Sequence, residues 1–169
     1  MLDAPGGPDV GGAPMIGATN DLPRIGGAYA LLIETRSPAA IVLRGVSFGL
    51  EPGEYLYCGS ARGPGGIRAR VGRHARKKKA LRWHIDRLTG IGRVRGVIIA
   101  PGGTECALFA RFAAFEGAVV PAPGFGSSDC RHCPSHLLRI DGLIANAREL
   151  PLEPSENLVL GAGNSRAAT

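Results

Sequence analysis

Apolar positions follow a strand rhythm from Gly27 to Cys58 and a helical rhythm from Ile67 to Leu88, so the chain passes from sheet to helix near its middle. Gly27-Ala28-Tyr29-Ala30-Leu31-Leu32-Ile33 is an unbroken apolar run ended by Glu34-Thr35-Arg36-Ser37-Pro38, which predicts a buried strand and a turn. Ile41 to Leu43 and Val46 to Leu50 predict more strand, pairing with the first strand or with the next. Glu51-Pro52-Gly53 turns the chain into Glu54 to Cys58, and together these segments predict an antiparallel meander. Side chains alternate along a strand, so Tyr55 and Tyr57 share one face.

Gly63-Pro64-Gly65-Gly66 breaks this pattern. Ile67 to Lys79 then predicts a helix with Ile67 and Val71 inward and its arginines outward. Arg82 to Leu88 predicts a short second helix with Trp83, Ile85 and Leu88 as core positions, and Val94 to Ala100 returns as strand. Thr104 suits the N-cap of a helix from Glu105 to about Glu116, on which Leu108, Phe109, Phe112 and Phe115 form a broad apolar face. An irregular stretch, Pro121 to Pro134, precedes a closing strand at His136 to Ile140. The expected fold class is α+β, a small central antiparallel sheet of three or more strands flanked by helices.

The expected domain covers residues 23–150. Residues 1–22, rich in Gly, Pro and Ala without apolar periodicity, are expected to be a disordered lead-in, and residues 151–169 a flexible tail. At 169 residues and 44% hydrophobic content the chain suffices for one domain with its own core. No apolar stretch reaches the roughly 18 residues of a membrane span, and no basic segment leads an apolar one near the start. The expectation is a soluble, cytoplasmic protein with no membrane partner.

Charge sharpens this picture. The formal net charge is +6, and nine of the 20 Lys and Arg residues fall between Glu54 and Asp86, a span without one carboxylate. They are Arg62, Arg68, Arg70, Arg73, Arg76, Lys77, Lys78, Lys79 and Arg82. Such a run is a patch for polyanions, and all of these except Arg70 and Arg82 are expected to contact nucleic-acid backbone, DNA favoured, in a nucleoid-associated setting. Aromatic residues make up only 5% of the chain, which argues against a single-strand binder built on base stacking. Arg70 and His74, four apart on the predicted helix, share one face.

Four cysteines in a reducing setting are free thiols or metal ligands rather than disulfides. Cys130 and Cys133, followed by His136, have the spacing of a zinc half-site that Cys106 or Cys58 would complete; reduced thiols in a packed loop are the plainer reading. Ser127, Ser128 and Asp129 follow Gly124-Phe125-Gly126, a permissive loop able to meet phosphate. His84 and Asp86 sit two apart on a helix and do not face each other, which leaves His84 as a structural histidine or a support for a site.

In order along the chain, Gly27-Ala28-Tyr29, Tyr57-Cys58-Gly59, Arg70 with His74, and Glu105 on a later helix resemble the GIY-YIG nuclease superfamily. The segments Glu54 to Ala61, Arg73-His74, Trp83-His84-Ile85-Asp86, Glu105-Cys106, and Gly124 to Cys130 through Ser135-His136-Leu137 resemble its uncharacterised branch, whose members occur alone or fused to endonuclease III. The likeness runs from about Gly27 to Ile140. It implies a metal-dependent endonuclease acting in DNA repair or processing, with a catalytically inactive nucleic-acid-binding module of the same fold as the alternative. It also implies one Mg²⁺ or Mn²⁺ on Glu105, a phosphate clamp at Arg70, water activation by Tyr29 or Tyr57, and a proton relay through His74. An unperturbed phenol has a pKa near ~10, so either tyrosine needs nearby positive charge to act as a base. The better-known nucleases carry a late asparagine, whereas none occurs here between Asn20 and Asn146. Asp129 or His136 stands as its replacement, and His84, Ser128, Asp129 and His136 are the supporting residues implied around the site.

Overall fold

The apolar run Gly27–Ile33 lies at the heart of strand β1 (Gly27–Thr35), which pairs antiparallel with β4 (Gly53–Ala61) on one side and β5 (Arg93–Pro101) on the other. The structure, a computed structural model, describes residues 19–161. Short strands close the sheet, β6 (Leu137–Arg139) on β4 and β7 (Asn157–Leu160) on β5, giving the order β6-β4-β1-β5-β7. A central strand covered on both faces needs no polar alternation, which is why β1 reads as continuous hydrophobicity. Its odd residues Tyr29, Leu31 and Ile33 face α1 (Gly66–Ala75) and α2 (His84–Ile91) through Ile67, Val71, Ile85 and Leu88. Its even residues Ala28, Ala30 and Leu32 face α3 (Glu105–Ala113) through Leu108, Phe109 and Phe112. The fold is α+β, a five-stranded antiparallel sheet and a two-stranded one flanked by three helices.

The predicted meander is corrected. β2 (Ala39–Leu43) and β3 (Val46–Leu50) pair only with each other, and β4 passes them to pair with β1 along its whole length. The burial pattern gives the reason: Ile41, Leu43 and Leu50 cap one sheet face while Val42 and Val46 stay exposed, so the hairpin has a single apolar side.

Helix α1 ends at Ala75 rather than Lys79, because Lys79 turns back and its Nζ donates to the carbonyls of His74 and Arg76 at 2.8 and 2.7 Å. Trp83, expected in the core, is 40% exposed and lies at the start of α2 beneath two guanidiniums. Phe115 falls beyond the end of α3 and is 37% exposed. Of the tail expected from residue 151, residues 151–161 are described. There β7 pairs with β5, and Glu156 takes a bidentate ion pair from Arg111 of α3. Of the expected N-terminal lead-in, residues 1–18 lie outside the described residues, while Leu22 is buried in the core.

Candidate active site

The site forms where strand pairing runs out. β6 stops opposite Tyr57, the N–H of Cys58 makes one further bond to the carbonyl of His136 at 2.9 Å, and beyond it Gly59 and Ser60 open onto a cleft. At this open edge side chains from both sheet faces meet. Tyr29, Tyr57 and Arg70 arrive from one face and Glu105 from the other, where it begins α3 after the Thr104 cap. The cleft measures about 710 Å³, and its wall also includes His84, Ser128, Asp129, Cys130 and His136.

Both tyrosines are seated by glycines. In the β1–β4 register Gly59 lies opposite Tyr29, and a Cβ on Gly59 would stand 2.4 Å from the Tyr29 hydroxyl. Gly126, at φ +68°, would bring a Cβ to 2.8 Å from the Tyr57 ring. Tyr55, on the same strand face as Tyr57, is excluded from the cleft: it is fully buried and its hydroxyl donates to the carbonyl of Glu51 at the other end of the strand.

Tyr29 is bonded to His74, hydroxyl to Nε2, at 2.7 Å. Burial pushes the Tyr29 phenol well up, Tyr57 adds to this, and Arg70 and Arg73 only partly oppose it. Burial also lowers the His74 imidazole to about 3, with Asp86 opposing and Lys79, Arg73 and Arg70 reinforcing. A neutral imidazole facing a protonated phenol accepts at Nε2 and carries its proton on Nδ1. That Nδ1 has no hydrogen-bond partner and faces Asp86 Oδ1 at 4.0 Å. Burial alone would raise the Asp86 carboxyl, but the Arg73 fork and the N–H groups of Trp83 and Arg82 overcome it and hold the carboxyl well below the usual range. The Tyr57 phenol is likewise pushed up by burial, with Cys58 adding and Arg70 opposing.

Arg70 carries no hydrogen bond or ion pair among the described residues, and its guanidinium lies 4.7 Å from the centre of the Trp83 ring. Its fork is therefore free for a ligand. Glu105 Oε2 is buried without a hydrogen-bond partner. His74, rather than lining the cleft, stands behind Tyr29.

The remaining basic residues divide. Arg73 pairs with buried Asp86 at 2.7 Å, Arg68 Nε donates to Leu22 at 2.7 Å, and Lys77 and Lys79 bond backbone carbonyls. Arg62, Arg76 and Lys78 are exposed, and none of these seven lines the cleft. Arg82, Trp83, Arg131 and His132 do line it, although the sequence reading gave none of them a role in the site. Arg82 had a signal, its membership of the acid-free run; the others are set at the rim by tertiary folding. Asp86 is partnered not by His84 but by Arg73 and the N–H groups of Arg82 and Trp83, just before α2.

Beside Glu105 lies a second cluster. Cys106, Cys130, Cys133 and His136 each offer a ligand atom, all within 4.8 Å of one another, and the group can hold a metal ion. Soft sulfurs with an imidazole favour zinc over Mg²⁺ or Mn²⁺ there. Of the two candidates to complete the set, Cys106 joins it, while Cys58 is buried in the core layer under α3. Among the described residues no helix is long and apolar enough to cross a membrane.

No curated protein and no solved structure matches the chain. Residues 28–152 match the family described as a domain of unknown function, DUF123, and the chain belongs to that family.

Proposed function

We propose that the chain is a GIY-YIG-type endonuclease domain that hydrolyses phosphodiester bonds in DNA with one divalent metal ion, in repair or processing. The convergence of Tyr29, Tyr57, Arg70 and Glu105 from β1, β4, α1 and α3 on one cleft carries this reading. A phosphodiester repels nucleophiles by its charge, so its hydrolysis needs cationic neutralisation, a route for the proton of water, and stabilisation of the leaving oxygen. The unfilled Arg70 fork matches two phosphate oxygens. The orphaned oxygen of Glu105 is a hard ligand that fits Mg²⁺ or Mn²⁺. Such an ion, when bound, supplies positive charge against that developing on the phosphate.

The proton route runs through Tyr29. As a water oxygen attacks phosphorus, its proton passes to the Tyr29 oxygen while the Tyr29 proton moves to His74 Nε2. Asp86 lies 4.0 Å from Nδ1 and stabilises the imidazolium that results. The P–O bond to the leaving oxygen breaks, and that oxygen takes its proton from solvent. Burial is the main cause that holds the His74 imidazole down, and the charge of a bound phosphodiester counters the lesser contributions of the Lys79, Arg73 and Arg70 cations.

Burial favours a second reading, since it lowers the imidazole of His74, the proton acceptor of this route, to about 3. On this reading the chain is an inactive nucleic-acid-binding module. Incubation with branched, nicked and single-stranded DNA in Mn²⁺ separates the two. Cleavage is expected, with Glu105→Gln and Arg70→Lys each slowing it by about 100-fold or more while DNA is still bound. Binding that weakens steeply with salt, with no substrate cut, selects the inactive module.

A further inference from the structure

We propose that Cys106, Cys130, Cys133 and His136 bind one Zn²⁺ in a closed tetrahedral site, and that this zinc clasps the two walls of the cleft together. The zinc assignment is independent of the nuclease reading; only the importance given to the Glu105 wall rests on it.

The geometry is that of a tetrahedron. Zn–S bonds of about 2.3 Å at tetrahedral angles separate two sulfurs by about 3.8 Å. Here Cys106 Sγ stands 3.5 Å from Cys130 Sγ and 3.8 Å from His136 Nε2, and all four donors lie within 4.8 Å of one another. The imidazole is oriented for the role. His136 Nδ1 donates to the carbonyl of Gly126 at 3.0 Å, which fixes the tautomer and aims the Nε2 lone pair into the cluster. Backbone N–H groups of His132 and Cys133 point at Cys130 Sγ at 3.4 and 3.3 Å, supporting it as an electron-rich ligand. Four protein donors leave no position open for substrate, the condition of a structural rather than a catalytic zinc.

A disulfide accounts for less. The two nearest sulfurs are 3.5 Å apart, far beyond the roughly 2.05 Å of an S–S bond, and a bond between Cys106 and Cys130 would leave Cys133 and His136 without a role.

The ligands come from two separate places in the fold. Cys106 is the second residue of α3, directly after Glu105, whereas the other three sit in residues 121–136, which contain no helix or strand. An irregular stretch of that length is uncommon in a compact domain, and a metal clip would restrict it. It carries Phe125 into the core, sets Gly126 against Tyr57, and supplies Ser128, Asp129, Arg131 and His132 to the cleft. One zinc thus ties this wall to the helix that presents Glu105.

Metal analysis of the full chain, purified under reducing conditions without added metal, tests the site. One equivalent of zinc is expected; iron, or no metal, overturns the proposal. Cys130→Ser and His136→Ala are expected to lose the zinc, His136→Cys to keep it, and Glu105→Gln to keep it in full. Zinc retained by Cys130→Ser, or lost from Glu105→Gln, also overturns it. Should the cysteine variants fail to fold, exchange of Co²⁺ into the unaltered protein gives a second reading. Tetrahedral thiolate coordination appears as intense visible d–d bands with thiolate-to-cobalt charge transfer, and weak octahedral bands refute it. The clasp itself is read by chelation: zinc removal is expected to lower the melting temperature and shift the emission of Trp83, the chain's single tryptophan, at the rim of the cleft. Unchanged melting and emission refute the clasp.

Discussion

Gly59 and Tyr29 constrain each other as a pair. The phenol lies across β4 at the place where any other residue would put a side chain, so Gly59→Ala forces the ring or the strand to move. The expected destabilisation is about 1–3 kcal/mol, the usual cost of overpacking, read as a lower denaturation midpoint and, on the proposed function, as loss of cleavage. An unchanged midpoint would mean that the phenol has room to relax. Tyr29→Phe asks a separate question at the same place. It keeps the ring but leaves His74 Nε2 buried without its partner, at an expected cost of about 1–3 kcal/mol. Cleavage by this variant at the unaltered rate would remove Tyr29 from the proton route.

At the scale of the element, the basic run that dominates the sequence splits into scaffold and surface. Arg73 on α1 holds the carboxylate that caps α2, since Asp86 binds its guanidinium in two places and also receives the N–H groups of Arg82 and Trp83. Arg73→Ala strands a buried charge and is expected to destabilise the protein by about 3–5 kcal/mol. Arg76→Ala, one turn on and exposed, is expected to change stability by less than about 0.5 kcal/mol. On the proposed function it instead lowers DNA affinity and reduces the salt slope by about one. Paired denaturation and salt-titrated binding measurements check both variants, and equal stability losses would contradict the division.

For the whole molecule, the buried His74–Asp86 pair sets the response to acid. Above pH 6.5 His74 is neutral in both folded and unfolded chains. Between 6.5 and about 3 the unfolded chain takes up a proton that the folded chain refuses, so stability falls as the pH falls through this window. Asp86 acts in the same direction lower down: its folded carboxyl lies below the unfolded value of 3.8, and its contribution is lost as acid protonates it. Denaturation midpoints are therefore expected to drop steadily from pH 7 to pH 4, with the His74 ring resonance showing no titration above pH 4. A flat profile, or a His74 transition near 6.5, would contradict the buried neutral imidazole.

Local pattern was enough to place β1, β4, β5, α1 and α3 and to put Tyr29, Tyr57, Arg70 and Glu105 on them. Side-chain periodicity, glycine breaks and the Thr104 cap act within a few residues and leave their mark directly in the chain. What local pattern cannot carry is which distant segments meet. The hairpin β2–β3 stands apart from the main sheet, although its one-sided alternation suits either place. Nothing in the sequence near Trp83 reveals the two guanidiniums over its ring, and the pairing partner of β7, β5, is some 60 residues away along the chain. The sequence by itself determined most of the elements and the chemical types available, including a basic run without carboxylates and a Cys-Cys-His spacing. Only the tertiary structure decided that β6 ends early enough for both sheet faces to share one cleft, that Cys106 rather than Cys58 joins Cys130, Cys133 and His136, and that burial rather than neighbouring arginines governs the tyrosines. Each of these depends on contacts between residues far apart in the chain, and on the water such contacts exclude.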